Sequence, residues 1–346
     1  MDEGRASVTP LTVLRNSESA WMVLPRLKNI NMLGLGRSIG TPPEGIRAEV
    51  LVVKDFDDLA QNAALAAGRI VLYNLNFTSY GELSVYRGRG SAEAAKVGAV
   101  ASLMSSLASF SIDSPHTGDQ FLSQDDPLIP AAAISVEDAS MMGRMQERGE
   151  TIEVLLTMGA VNYAENISRN VIMELQGSEF PQETVVVSGH IDSWDVGQGA
   201  MDDGGGVMIS WNAAVVLKRL GLIPRRTLRV IFFTAEEQGL IGGEAYFNAH
   251  ESEKDNFQII MESDGGTFNP TALAFKGNIE ATCIMQEILK LLAPLNITEV
   301  LPGGGGPDIG NWGRVGVPLG NIHLHYLHTK GFWQENVNQN LNIGFS

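Results

Sequence analysis

The chain has one cysteine in its 346 residues, Cys283. A lone thiol excludes an internal disulfide framework and any zinc site built on cysteine pairs. Its setting, Ile279-Glu-Ala-Thr-Cys-Ile-Met, is an apolar helical pattern that predicts a packed, buried side chain. No stretch reaches the roughly 18 consecutive apolar residues of a membrane span. Met1-Asp-Glu-Gly-Arg5 holds no apolar signal core, so no signal peptide is expected in this chain. Either the protein is cytosolic or the sequence begins downstream of its true start. Positive charge is also scarce, with 24 Lys and Arg against 40 Asp and Glu, a formal net charge of −16. That balance argues against nucleic acid or an anionic membrane as the main partner, because both repel a net acid.

Apolar residues are well supplied, at 44% of the chain against 18% charged, which fits a globular protein with a real core. The length predicts two domains. Residues 1–20 are polar and read as irregular. Residues 21–159 alternate short strands and helices. Glu49–Val53 and Arg69–Tyr73 read as strands, Asp55–Ala67 as a helix, and Ser91–Ala108 as an Ala-rich helix capped by Ser91. Ile129–Ile134 reads as a strand, and Ser135-Val-Glu-Asp138 opens a helix that stops at Gly149. His116 stands alone in the turn Ser114-Pro-His-Thr-Gly118 and reads as a loop residue. The polar linker from Gly159 to Arg169 is a domain boundary. Three glycosylation sequons occur, at Asn76, Asn166 and Asn296.

Beyond the linker the strands become more apolar and the helices longer. Val185 to Val187 reads as a buried strand that ends in Gly189-His190-Ile191-Asp192. A helix from about Asp203 to Leu220 follows, with Lys218 and Arg219 in its last turn and Gly221 just past its end. Leu228–Phe233 is a strand ending in Thr234-Ala-Glu236-Glu237-Gln-Gly239. Phe257–Met261 is another, ending in Glu262-Ser-Asp264. A helix over 278–292 and a strand near Val317 complete the pattern. Strands alternating with helices predict an α/β sheet covered on both faces.

Each polar group at these strand ends, taken alone, is what a solvated loop carries. Three consecutive strands ending in His190, Glu236-Glu237 and Asp264 is a different observation. In a doubly wound sheet the carboxyl ends of the strands form the ligand crevice, so residues far apart in sequence converge there. Asp202 joins them from a helix start. Imidazole and carboxylate ligands suit zinc, and a carboxylate can bridge two ions about 3.5–4 Å apart. Of the adjacent Glu236 and Glu237, one can bind metal while the other takes a proton from water. Asp192, two residues past the histidine, is placed to orient the imidazole.

Gly189-His-x-Asp, Gly199-Ala-Met-Asp-Asp-Gly, Thr234-Ala-Glu-Glu-Gln-Gly and Glu262-Ser-Asp resemble the co-catalytic zinc exopeptidases that include aminopeptidase Y. The similarity runs from about Pro25 to Pro318. It implies a zinc-exopeptidase-type mixed sheet, with helices on both faces, as a catalytic domain over 160–325. It also implies an inserted, smaller protease-associated α/β domain over 21–159, and leaves 326–346 as a divergent tail.

By that resemblance His190 and Asp264 bind one zinc, Asp202 bridges, and Glu237 binds a second. Glu236 is the general base, and Asp308 in Gly306-Pro-Asp-Ile-Gly-Asn-Trp312 lies near the substrate. The family's further histidine comes from a late His-Ser/Thr-x-x-Asp loop. Here His323, His325 and His328 are available, and His328-Thr329 is nearest in form, without the trailing Asp. The implied activity is a metallo-exopeptidase of the carboxypeptidase or dipeptidase type, acting on small peptides with two Zn2+. The second ion depends on that histidine. Passage through the secretory pathway to secretion or the lysosome, glycosylation and a homodimer are implied by the same resemblance. A non-catalytic binding or scaffold protein on the same fold is the alternative.

Overall fold

Residues Val50 to Val53, Ile70 to Tyr73 and Ala131 to Ile134 are apolar without interruption, and the structure shows why. In this computed structural model, which describes residues 5–8, 11–12 and 18–325 apart from 110, 112, 195 and 196, these stretches are strands of one sheet, buried on both faces. Alternation along each strand sends successive side chains to opposite sides. Val50, Val52, Ile70, Leu72 and Leu103 enter one core, while Leu51, Val53, Val71, Tyr73 and Met104 enter a second.

The described residues fall into two units, and the chain passes between them at Val8/Thr9 and again at Ala164/Glu165. The segment expected to be irregular contains two short strands. Arg5–Val8 pairs antiparallel with Asn166–Arg169, and Leu11–Thr12 pairs with Val161–Asn162. Their partners lie far along the chain, so no local pattern in residues 1–20 or in the linker announces them.

The unit between the crossings carries an eight-stranded sheet in the order 28–30, 19–24, 153–157, 46–53, 70–73, 101–105, 131–134, 32–34. Strands sit about 4.8 Å apart, so laid flat its edges would be about 34 Å from each other. Yet the two edge strands, Lys28–Ile30 and Met32–Gly34, are joined through Asn31 alone. One residue bridges only about 7 Å between flanking Cα atoms. The sheet must therefore curl round on itself.

Two expectations fail in this unit and its neighbour. The helix is Tyr80–Lys96, with Ser79 as its cap accepting from Glu82 N at 3.3 Å, and not a helix capped by Ser91. Ala101–Ser105, read as helical, is a buried strand. Small residues carry almost no periodicity, so pairing with both neighbouring strands decides their conformation. The stop was legible in Gly98, at φ 83 just past the helix end. Cys283 is exposed, because its helix, Ile279–Leu289, buries Leu289 and leaves much of its apolar surface in solvent. His116, in contrast, is buried, with Nε2 3.4 Å from Arg87 Nη1 and 3.5 Å from the Tyr80 hydroxyl.

The other unit is built on a mixed seven-stranded sheet in the order 171–175, 226–233, 180–190, 257–262, 319–325, 269–276, 299–302. Strands Arg226–Phe233, Phe180–His190, Phe257–Glu262 and Leu319–His325 run parallel, Val171–Leu175 and Asn269–Lys276 pair antiparallel to their neighbours in that set, and Glu299–Pro302 pairs parallel with Asn269–Lys276. Val186 and Gly189 point to opposite faces by alternation. Val186 packs with Tyr246 and Trp312 of helices Ile241–His250 and Gly310–Arg314. A Cβ at Gly189 would meet Gly206 C and Val207 N of helix Gly204–Arg219 at 3.0 Å. Helices thus cover both faces, and the α/β architecture is as expected. No helix among the described residues is long and apolar enough to cross a membrane.

Candidate metal centre at the carboxyl edge of the parallel strands

Strand register sets the site. His190 pairs with Phe233, and Ser188 with Glu262, so three parallel strands end at nearly one level. The residues just past each end, Asp192, Glu236-Glu237 and Asp264, emerge on the same edge. Asp202 is brought back to it by the start of the helix that follows.

His190 is 1% exposed, and its ring is held from two sides. Nδ1 lies 3.0 Å from the Asp192 carbonyl and 3.6 Å from the Asp192 carboxylate. Nε2 faces Asp202 Oδ1 at 2.9 Å and Asp264 Oδ1 at 3.4 Å. One donor atom from each of His190, Asp202 and Asp264 lies within 4.8 Å of the others. The Asp192 carboxylate accepts from the N–H groups of Glu236 and Glu237 at 3.0 and 3.1 Å. A single acid therefore ties the end of one strand to the loop that follows its neighbour.

That loop is further fixed by Asn170, whose side chain accepts from Thr234 N at 3.0 Å and donates to Gly242 O at 2.9 Å. Ala235, just before the glutamates, is held at φ 56. This left-handed conformation costs a residue with a Cβ about 1–2 kcal/mol, and it redirects the chain so that both glutamate N–H groups meet Asp192.

Asp203 and Glu262 are the residues that sequence reasoning missed. Asp203 is 1% exposed and caps helix Gly204–Arg219, accepting from Gly206 N at 3.0 Å and from His190 N at 2.9 Å. The three glycines after it were its signal. At Gly206 a side chain would run into Ser263 O and the Asp203 carboxylate, so only glycine lets the helix start this close. Glu262 precedes Asp264 by two residues and is 2% exposed. Neither of its carboxylate oxygens has a hydrogen-bond partner among the described residues. Asp308 is buried beside Gly243, where a Cβ would lie 2.6 Å from its Oδ1.

The electrostatics are those of acids gathered out of water. Burial pushes Glu236 up to about 8, with His190 opposing and Asp264, Asp308 and Asp202 adding to the rise. Asp308 is pushed up to about 7, and Asp203 to about 8, in each case first by burial. Glu237 and Glu262 are raised well above the usual range by burial and then by a neighbouring acid, Asp202 and Asp308 respectively. Asp264 is raised by burial and by Asp202. Burial also opposes charge on the His190 ring, but Asp192, Asp202 and Asp264 outweigh it and drive its pKa up. Asp192 goes the other way. His190 and the two glutamate N–H groups outweigh burial and hold it below the ordinary carboxylate range.

Like charges packed this closely call for a cation. The donor set, one imidazole nitrogen and carboxylate oxygens facing one point, is what a divalent ion such as zinc takes. His328 lies outside the described residues, as does the side chain of His325. Asn76, Asn166 and Asn296 are all exposed.

Residues 170–339 match the model of Peptidase family M28. The chain is 52% identical over 319 residues to carboxypeptidase Q of Xenopus laevis, covering 92% of this chain and 68% of that one. The chain belongs to peptidase family M28. Human carboxypeptidase Q is 54% identical over 304 residues, 88% of this chain and 64% of its own length. The chain thus spans a little under two thirds of the mammalian relatives it matches. Among solved M28 folds, a peptidase M28 precursor from Shewanella amazonensis superposes with a TM-score of 0.86 at 32% identity, covering 92% of this chain and 74% of that one. A zinc aminopeptidase from Bacillus subtilis shares the fold, with a TM-score of 0.67 at 22% identity over 92% and 73% of the two chains.

Proposed function

We propose that this chain is a zinc-dependent exopeptidase hydrolysing small peptides or dipeptides. The observation that carries the reading is the convergence of His190, Asp202 and Asp264 donors within 4.8 Å beside the half-buried Glu236. His190 and Asp264 would hold one zinc, Asp202 would bridge, and Glu237 would serve a second ion together with His328. A zinc ion bound there supplies Lewis-acid activation of water and of the scissile carbonyl.

The chain's own residues do the rest. Glu236 is the general base: it takes the proton from the attacking water and delivers it to the leaving amine. Positive charge in the cluster would offset the acids that push its pKa up and favour the ionised carboxylate that a base requires. Asp192 fixes the His190 ring and the Glu236 backbone together, so base and ligand keep a constant separation. Asp308, buried beside the cluster, contributes negative charge on the substrate side. Residues 21–159 are the inserted protease-associated domain. Exposed Asn76, Asn166 and Asn296 suit glycosylation on a secretory route to secretion or the lysosome, and a homodimer accords with the same reading.

The test is hydrolysis of a dipeptide panel by the purified chain supplied with zinc. Glu236→Gln should lower kcat about a hundredfold or more at unchanged zinc content. No cleavage by the wild-type chain, or equal rates for the variant, would reject an enzymatic role and leave a binding protein on the M28 fold.

A further inference from the structure

In a chain with a formal charge of −16, three arginines line one pocket of about 430 Å³ in the unit without the metal centre. Arg26 comes from the turn between strands Ser19–Leu24 and Lys28–Ile30. Arg144 and Arg148 come from the end of helix Val136–Glu147 and the residue just past it. Met141 and Met145 belong to the same lining, and all three arginines are exposed to solvent.

The arginines are poorly matched to acids. Arg148 is paired with Glu150, at 2.6 Å from Nη2. Arg26 donates to the Met141 sulfur at 3.4 Å, a weak acceptor. Arg144 has no acidic partner among the described residues, whereas Arg37, Arg47 and Arg69 each have one and Arg89 has two. One carboxylate thus faces three guanidiniums in the lining. Arg144 in the last turn and Arg148 at the cap are four residues apart, a spacing that brings like charges together at the helix end. A cation next to the helix C-terminus is favourable, but that explains Arg144 and Arg148 and leaves Arg26, from another element, unexplained. What favours all three is an anion between them. A guanidinium offers paired N–H donors that match a tetrahedral oxyanion.

We infer that the pocket of Arg26, Arg144 and Arg148 binds a small phosphate-type oxyanion, free or carried as a monoester. The pocket volume accommodates either. The site is separate from the metal centre and does not depend on the peptidase reading.

Thermal unfolding of the intact chain at low ionic strength, titrated with inorganic phosphate and in parallel with glucose 6-phosphate, tests it. The wild-type chain should be stabilised saturably, with a dissociation constant on the order of 1 mM or tighter. Arg26→Gln with Arg144→Gln should weaken binding about tenfold or more. Arg47→Gln, an exposed arginine of the same unit paired with Glu153, should stay within about twofold. Both probes binding equally identifies the free ion as the ligand, and tighter glucose 6-phosphate identifies the ester; either supports the site. No saturable stabilisation, an unchanged double variant, or an equal loss in Arg47→Gln would overturn it. Should the double variant fail to fold, Arg144→Gln alone, at an exposed helical position, gives the same reading.

Discussion

The two sheets of this molecule use burial in opposite ways. In the eight-stranded sheet, burial is apolar on both faces: Val71, Leu72 and Leu103 are fully enclosed. In the seven-stranded sheet the interior is similar at Val186 and Ile231, but the carboxyl edge encloses His190, Asp203, Glu262 and Asp308. Apolar burial stabilises a fold without help, at about 25 cal/mol per Å² removed from water. Burial of acids works against the fold until an ion or a proton offsets the charge. The first sheet should therefore stand on its own packing, and the second should draw part of its stability from what binds at its edge.

The largest effect that would break this contrast is metal removal. Zinc at about a thousandfold above its dissociation constant should stabilise the seven-stranded sheet by about 4 kcal/mol. Amide hydrogen exchange should show protection lost at Val186 on chelation, with Leu103 unchanged. Equal loss at both positions would contradict the separation. Leu103→Ala should act in the other direction, lowering stability by about 3 kcal/mol through a cavity in the eight-stranded sheet while leaving zinc affinity as it was. Denaturant unfolding and metal titration together read that outcome.

The eight-stranded unit does hold one strained acid, and it sharpens the comparison. Asp119 is 4% exposed, and burial raises it to about 6 despite Arg37 at 3.0 Å. A folded pKa above the ordinary 3.8 means that the folded state binds the proton more tightly. Its stabilising contribution is then complete below about pH 4 and is lost as pH rises through about 6. Stability of the wild-type chain relative to Asp119→Asn should fall by about 2 kcal/mol between pH 4 and pH 7. A difference independent of pH would show that Asp119 does not titrate in the fold. The smallest effect belongs to Asp203→Ala, which removes a helix cap and a bond to His190 N. It should cost about 1 kcal/mol in the zinc-free chain and weaken zinc binding about tenfold, measured by calorimetry.

Legibility in the sequence followed the same division. The residues proposed to bind metal were readable because parallel strands ending in His190, Glu236-Glu237 and Asp264 obey a topological rule, and the register brings them out on one edge. Ser135 and the glycine run after Asp203 marked helix starts through local chemistry. What escaped was set by partners distant in sequence. Ala101–Ser105 is a strand because of its neighbours, Arg5–Val8 pairs across the chain, and Asn170 fixes a loop more than 60 residues away, with Thr234 (|i−j| 64) and Gly242 (|i−j| 72) as its partners. Cys283 was misjudged because an apolar pattern shows which residues favour burial, not which face receives a partner. Glu262 stood in the strand-end motif Glu262-Ser-Asp264 but was passed over, since an acid at a strand end ordinarily points to solvent.

The central claim is that the acids at this edge are a cation site centred on His190. Zinc content and affinity of the wild-type chain against His190→Ala, measured by elemental analysis and competitive chelator titration after dialysis, test it directly. The account predicts zinc retained by the wild-type chain and an affinity lowered at least about a hundredfold in the variant. A wild-type chain that holds no zinc, or a His190→Ala chain that holds it equally well, would contradict it.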